Sequence, residues 1–203
     1  MLRRSLLSLA LIVPFAAAQA APAVGQAAPD FTLKDASGKA VKLSDYRGKF
    51  VVLEWTNPGC PYVKKHYNTG NMGATQADAT GRGAVWLSIN STAKGAWDYM
   101  EPAKVLAWQH ERKGRPSALL ADEEGTVGRA YGARTTPHMY IVDPQGKLVY
   151  AGGIDSIPSS DPDDIKKATN YVRQGLAEAM AGKAISSPAT RPYGCSIKYK
   201  NDA

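Results

Sequence analysis

One segment constrains this chain more than any other. Phe50-Val51-Val52-Leu53-Glu54-Trp55 is a near-continuous apolar run, followed by the turn residues Thr56-Asn57-Pro58-Gly59 and then by Cys60-Pro61 at the start of a helical stretch. A run without alternation is the mark of a strand covered on both faces, as in sheets with helices on either side. The order is therefore strand, turn, cysteine, helix. Proline suits the first helical position, where its missing amide hydrogen has no intrahelical partner to lose. At such a helix start the free first-turn amides and the positive end of the helix dipole favour a thiolate over a thiol, so Cys60 is the candidate nucleophile. Lys64 and Lys65 read as solvent-facing side chains, and His66 as either a source of positive potential or a third solvent-facing side chain.

The remaining pattern alternates strands with helices. Phe31–Leu33 and Val41–Leu43 flank a turn cluster, Asp35–Lys39, and predict an N-terminal β-hairpin. Ala84–Ile89 predicts a second buried strand. Between them the helix begun at Pro61 is weakened by Gly70, Gly73 and Gly81. From Thr92 to Lys113 the spacing of Trp97, Met100, Val105 and Trp108 predicts a helix interrupted at Pro102, with both tryptophans packed in the core. A strand at Ala118–Ala121 and a helix at Glu124–Tyr131 lead to a final hairpin, Met139–Val142 and Leu148–Tyr150, around Asp143-Pro144-Gln145-Gly146. Asp161-Pro162 then opens a helix whose stripe is Ile165, Ala168, Val172, Leu176 and Ala179, ending at Gly182. The expectation is one α/β domain over residues 21–185, built on a central mixed sheet flanked by helices, with a tail over residues 186–203 that carries Cys195.

The N-terminus and the cysteine count set the compartment. Arg3 and Arg4 precede an apolar run, Leu6–Ala18, and Ala18-Gln19-Ala20 has the small-x-small form of a cleavage site, so residues 1–20 read as a signal peptide. The run is shorter than the roughly 20 residues that span a bilayer, which argues against stable membrane insertion after cleavage. A periplasmic or secreted protein is expected. The chain carries a formal charge of +7, but its basic residues are scattered and never interleave with aromatics, so nucleic acid is not an expected partner. Two cysteines exclude a zinc-ribbon array and a disulfide-dense miniprotein, and outside the cytoplasm such a pair persists as a disulfide or is cycled by a dedicated reductant.

Three stretches in order carry a resemblance: Ala28-Pro29-Asp30-Phe31 with Leu33; Asn57-Pro58-Gly59-Cys60-Pro61; and Gly132-Ala133-Arg134-Thr135-Thr136-Pro137-His138-Met139-Tyr140-Ile141-Val142-Asp143. Over roughly residues 24 to 182 the chain resembles the thioredoxin-fold redoxins, in the exported branch of the alkyl hydroperoxide reductase/thiol-specific antioxidant superfamily. The resemblance implies a thioredoxin-like fold with an N-terminal β-hairpin extension. It implies a cis Pro137 facing Cys60, with the Thr136 backbone offered to an extended thiol substrate, and places Thr56, Asn57 and Arg134 among the substrate-positioning residues. Two departures stand out. Val63 replaces the second cysteine of a Cys-x-x-Cys pair, and Leu53 and Asn57 stand where peroxiredoxins carry proline and threonine.

The resulting reading is a thiol-dependent redox protein that reduces peroxides or disulfides through Cys60, with Cys195 as resolving thiol, an exported thiol reductant as partner and no cofactor. Three alternatives stand beside it. A Cys60–Cys195 bridge closing about 135 residues would be a permanent staple worth about 5 kcal/mol. The scaffold would serve as a redox-inactive binding module if Cys60 were unreactive. Copper delivery would have to draw on Cys60, Cys195, His66 and His138, His110 being expected at the surface.

Overall fold

The computed structural model describes residues 21–200, and the leader read at residues 1–20 lies outside them. Five strands follow the expected order: β1 (Thr32–Asp35), β2 (Ala40–Lys42), β3 (Val51–Trp55), β4 (Val85–Asn90) and β5 (Ala118–Ala121). Then come β6 (Thr135–Thr136), β7 (His138–Val142), β8 (Leu148–Gly152) and β9 (Cys195–Ser196). The helices are α1 (Pro61–Asn68), α2 (Asn71–Gly81), α3 (Pro102–Glu111), α4 (Thr126–Tyr131) and α5 (Tyr171–Met180).

β3 is buried along its whole length because it lies inside a seven-stranded sheet of order β2-β1-β5-β4-β3-β7-β8. It pairs parallel with β4, Trp55 opposite Ile89, and antiparallel with β7, Trp55 opposite His138. Alternation along β3 divides two cores. Val51, Leu53 and Trp55 join Leu87, Ile89 and Tyr140 on the face covered by Val127 and Tyr131 of α4. Val52 packs on the other face with Trp86 and Ile141, beneath Val63 of α1, Met72 of α2 and Leu176 of α5. The N-terminal hairpin joins the sheet edge, where β1 runs antiparallel to β5.

Three local expectations change. The helix after Cys60 is two helices, because Gly70 adopts the left-handed region at φ 76° and turns the chain between α1 and α2. In the 92–113 stretch only α3 is helical, beginning with Pro102 as its first residue. Trp97, expected in the core, stands 82% exposed in the loop before α3, its ring 5.0 Å from the Lys198 ammonium, whereas Trp108 packs on Tyr67 at 4.9 Å. The apolar spacing of Trp97 therefore belongs to a loop with no face to bury. Finally, Asp161-Pro162 opens a short 3₁₀ turn, Pro162–Lys166, and the last helix starts afresh where the Asn170 side chain accepts the Arg173 amide at 3.0 Å. Val172 and Leu176 are buried, while Ile165 and Ala168 precede α5 and are half-buried.

Candidate functional site: two thiols across a cis-proline turn

The site begins with the turn that leaves β3. The Thr56 amide still donates to Ile89 O at 2.9 Å, continuing the β3–β4 ladder, and Asn57 then folds the chain back. Its side-chain oxygen accepts the Gly59 amide at 2.6 Å, its backbone oxygen accepts the Cys60 amide at 3.1 Å, and its Nδ2 donates to Thr92 Oγ1 at 2.8 Å and Asp98 Oδ2 at 3.2 Å. Asn57 is thus consumed in shaping the loop. Cys60 caps α1 with extended backbone, and its carbonyl accepts the Lys64 amide at 2.9 Å. The Thr136–Pro137 peptide is cis, and the Cys60 thiol, 2% exposed, donates to Thr136 O at 3.0 Å.

The C-terminal segment crosses this turn. β9 pairs antiparallel with β6, setting Cys195 opposite Thr136 and Ser196 opposite Thr135. Gly194, at φ 134°, makes that approach possible: a Cβ there would collide with the Thr136 carbonyl. Beyond β9 the Ile197 amide donates to Arg134 O at 3.1 Å, the Ala93 amide donates to Lys198 O at 2.9 Å, Lys198 Nζ lies 2.9 Å from Asp98 Oδ2, and Tyr199 donates to Ala133 O at 2.8 Å. Both cysteines are free thiols. Burial, a hydrogen bond with Cys60 and the charge on the Cys60 sulfur push the Cys195 thiol up to about 12. Two of those three causes come from Cys60 itself.

Two buried acids, neither of them singled out from the sequence, lie on either side of α1. Glu54, fully buried, accepts from Tyr67 Oη at 2.9 Å, Trp86 Nε1 at 2.8 Å, Ser88 Oγ at 2.8 Å and Gln76 Nε2 at 3.3 Å. Burial raises its carboxyl above the ordinary range, against those hydrogen bonds. Asp155, just after β8, accepts from the Tyr193 hydroxyl, and its other oxygen lies 3.9 Å from Lys65 Nζ and 3.8 Å from His66 Nε2. Lys65 is therefore a correction: its side chain is wholly enclosed, donating also to Ser159 O at 2.9 Å, while its neighbour Lys64 is exposed. Desolvation, then the neighbouring Lys65 charge, lowers His66 to about 3, so its imidazole is neutral.

Cys60, Cys195, Thr136 and Pro137 are thus gathered within one turn, with Thr56 and Asn57 beneath it. Arg134 is exposed and meets the tail through its backbone oxygen. His138 is buried on the opposite face, 3.3 Å through Nδ1 from Tyr140 Oη, and desolvation lowers it to about 3. His110 lies at the surface. Among the described residues no three histidine, cysteine or acidic side chains cluster as a metal site, and no helix is long and apolar enough to cross a membrane.

Comparison with known proteins decides the lineage. The family model described as AhpC/TSA family matches residues 24–151, more than half of the chain. The chain belongs to the AhpC/TSA family. Within that family its relatives divide between two chemistries. The thiol-disulfide oxidoreductase ResA of Geobacillus thermodenitrificans is 29% identical over 135 residues, covering 63% of this chain and 68% of the relative. A Mycobacterium tuberculosis protein named as a candidate peroxiredoxin is 32% identical over 143 residues, 63% of this chain and 82% of its own. Among solved structures, a hypothetical protein of Sinorhizobium meliloti superposes with a TM-score of 0.76 at 25% identity, covering 90% of this chain and 97% of that one. The thioredoxin domain of a thiol-disulfide oxidoreductase from Bacteroides vulgatus shares the fold at a TM-score of 0.51 and 22% identity, over 72% of this chain and 98% of that one. This AhpC/TSA chain is a thiol-dependent oxidoreductase with a thioredoxin-like fold, as the sequence resemblance implied. The family match ends at residue 151, well before Cys195.

Proposed function

We propose that the protein is an exported dithiol oxidoreductase in which Cys60 is the nucleophile and Cys195 the resolving thiol, and that disulfides rather than peroxides are its substrates. The observation that carries this reading is the β6–β9 pairing, which sets Cys195 against the cis-proline turn that also receives the Cys60 thiol. In the forward direction the Cys60 sulfur attacks one sulfur of a substrate disulfide, forms a mixed disulfide and releases the first half as a thiolate. Cys195 then gives its proton to solvent and attacks the Cys60 sulfur. The Cys60–Cys195 bond forms, the second half leaves as a thiolate, and the substrate has gained the two electrons lost by the protein. An exported thiol reductant reverses the bond. With Cys60 2% exposed, substrate reaches the sulfur when the tail lifts from β6.

The choice of disulfides rests on what surrounds the sulfur. Asn57, at the position of the peroxiredoxin threonine, is committed to Gly59, Thr92 and Asp98 and is not free to orient a peroxide, and Arg134 is exposed. The peroxiredoxin-named relative favours the second reading, in which a hydroperoxide converts Cys60 to a sulfenic acid, releasing an alcohol, and Cys195 closes the bridge with loss of water. The leader read at residues 1–20 supports export to the periplasm or outside the cell. Steady-state turnover of a protein disulfide and of hydrogen peroxide by the wild type, Cys60→Ser and Cys195→Ser discriminates these readings. Expected are faster disulfide than peroxide turnover, none of either in Cys60→Ser, and trapped mixed disulfides in Cys195→Ser. Undiminished turnover in Cys60→Ser removes the mechanism, and faster peroxide turnover in the wild type selects the second reading.

A further inference from the structure

Tyr193 lies two residues before Cys195, and its hydroxyl is held deep beneath the tail by residues of two other segments. A hydrogen-bond chain runs through it in one direction. Asn71 Nδ2 donates to His66 Nδ1 at 2.8 Å, which leaves the proton of the neutral imidazole on Nε2. His66 Nε2, 3.1 Å from Tyr193 Oη, donates to it, and the hydroxyl donates in turn to Asp155 Oδ1. Asp155 also receives the Ile157 amide at 3.2 Å on the same oxygen, and its second oxygen has no hydrogen-bond partner and faces the Lys65 ammonium at 3.9 Å. The Tyr193 ring packs edge-on against Tyr62 at 5.8 Å. Tyr62, Lys65 and His66 all belong to α1, the helix that Cys60 caps. One helix thus presents the first sulfur and grips the residue that delivers the second.

Burying the Lys65 ammonium, the His66 imidazole and the Asp155 carboxylate together carries a desolvation penalty that an apolar packing of the same volume would avoid. We propose that Lys65, His66 and Asp155 form a buried socket for the Tyr193 hydroxyl, and that this socket positions Cys195 as the resolving thiol for Cys60. The inference rests on the reading of Cys60 and Cys195 as a redox pair. The socket touches neither sulfur; it fixes the tail's entry into β9, and so raises the effective concentration of Cys195 at Cys60 while keeping Cys60 covered. Opening for substrate and closing for resolution are then governed by the same hydroxyl.

The test uses glutathione as the probe. The dithiol reacts with one glutathione disulfide to give a Cys60–glutathione mixed disulfide and one glutathione thiol; Cys195 then displaces the second glutathione thiol as the Cys60–Cys195 bond forms, and the equilibrium constant of this second step measures the closing of the tail. In Tyr193→Phe, which keeps the ring against Tyr62, the constant falls about tenfold, the change expected for losing one hydrogen bond to a charged group. The Cys60–glutathione mixed disulfide accumulates in the same variant. In a Cys195→Ser background the same substitution speeds alkylation of Cys60 by iodoacetamide several-fold. Asp155→Asn moves both readouts the same way as Tyr193→Phe, whereas a general loss of structure would be seen as a lowered thermal midpoint with both readouts altered in an unrelated core variant as well. The socket is overturned if the wild type forms the bridge and Tyr193→Phe leaves both readouts within twofold. If the wild type never forms the bridge, the redox-pair reading falls and the socket with it.

Discussion

Glu54 and Asp155 are both buried acids that hold α1, and they hold it for different ends. Glu54 is surrounded by neutral donors, Tyr67, Trp86, Ser88 and Gln76, from α1, β4 and α2, and ties the helix down onto the sheet. Asp155 is met by a lysine, an imidazole and a phenol, and ties the same helix to the tail that bears Cys195. A carboxylate among neutral dipoles has no countercharge, so burial raises it. Asp155 faces the Lys65 ammonium, and beside that pair burial, then the Lys65 charge, drives His66 to its neutral form.

The sharpest break in that comparison comes from the two adjacent lysines of α1. Lys65→Ala leaves Asp155 buried without its cation and is expected to cost about 3–5 kcal/mol in urea unfolding. Lys64→Ala, at an exposed position, is expected to cost within about 0.5 kcal/mol. Equal effects would mean that Lys65 is not held in the socket.

Smaller, and opposite in sign, are the pH responses of the two acids' surroundings. Glu54 has its pKa raised above 4.5 by folding, so the folded chain keeps a proton that the unfolded chain releases. Its contribution is fully present below pH 4.5 and is lost as pH rises through the raised value. Glu54→Gln flattens that flank of a stability-versus-pH curve. His66 is lowered from 6.5 to about 3, so the unfolded chain takes up a proton in that window and the folded chain does not. Its contribution is present above pH 6.5 and is lost as pH falls toward 3. His66→Gln reduces the acid-side loss; His138, lowered to about 3 as well, and the carboxylates lowered by folding, Asp30, Asp35, Asp164 and Glu178, share what remains. Curves of the same shape for both variants would erase the distinction drawn between the two acids.

The half of the site around Cys60 was legible because its signals are local. An apolar run, a Pro/Gly turn and Cys60-Pro61 are contiguous, and each states its own physics. The other half depends on partners far along the chain. Nothing in Lys64-Lys65 tells which lysine faces inward, because the acid that decides it is Asp155. β9 is two residues long, too short to show an alternation, and its seat is set by Gly194 against the Thr136 carbonyl. Glu54 is a single polar residue in an apolar strand, and its donors come from four other positions. Trp97 failed for the converse reason: helical spacing is read from sequence, but a loop with the same spacing has no buried side.

The most direct test of the central claim is intact-mass thiol counting on the mature protein, as reduced, after one equivalent of a disulfide and after one equivalent of hydrogen peroxide, with peptide mapping of any bridge. The account predicts rapid loss of two thiols to a single Cys60–Cys195 bond that mild thiol reductant reopens. Thiols that stay free under both oxidants, or a bridge that resists mild reduction, would contradict it.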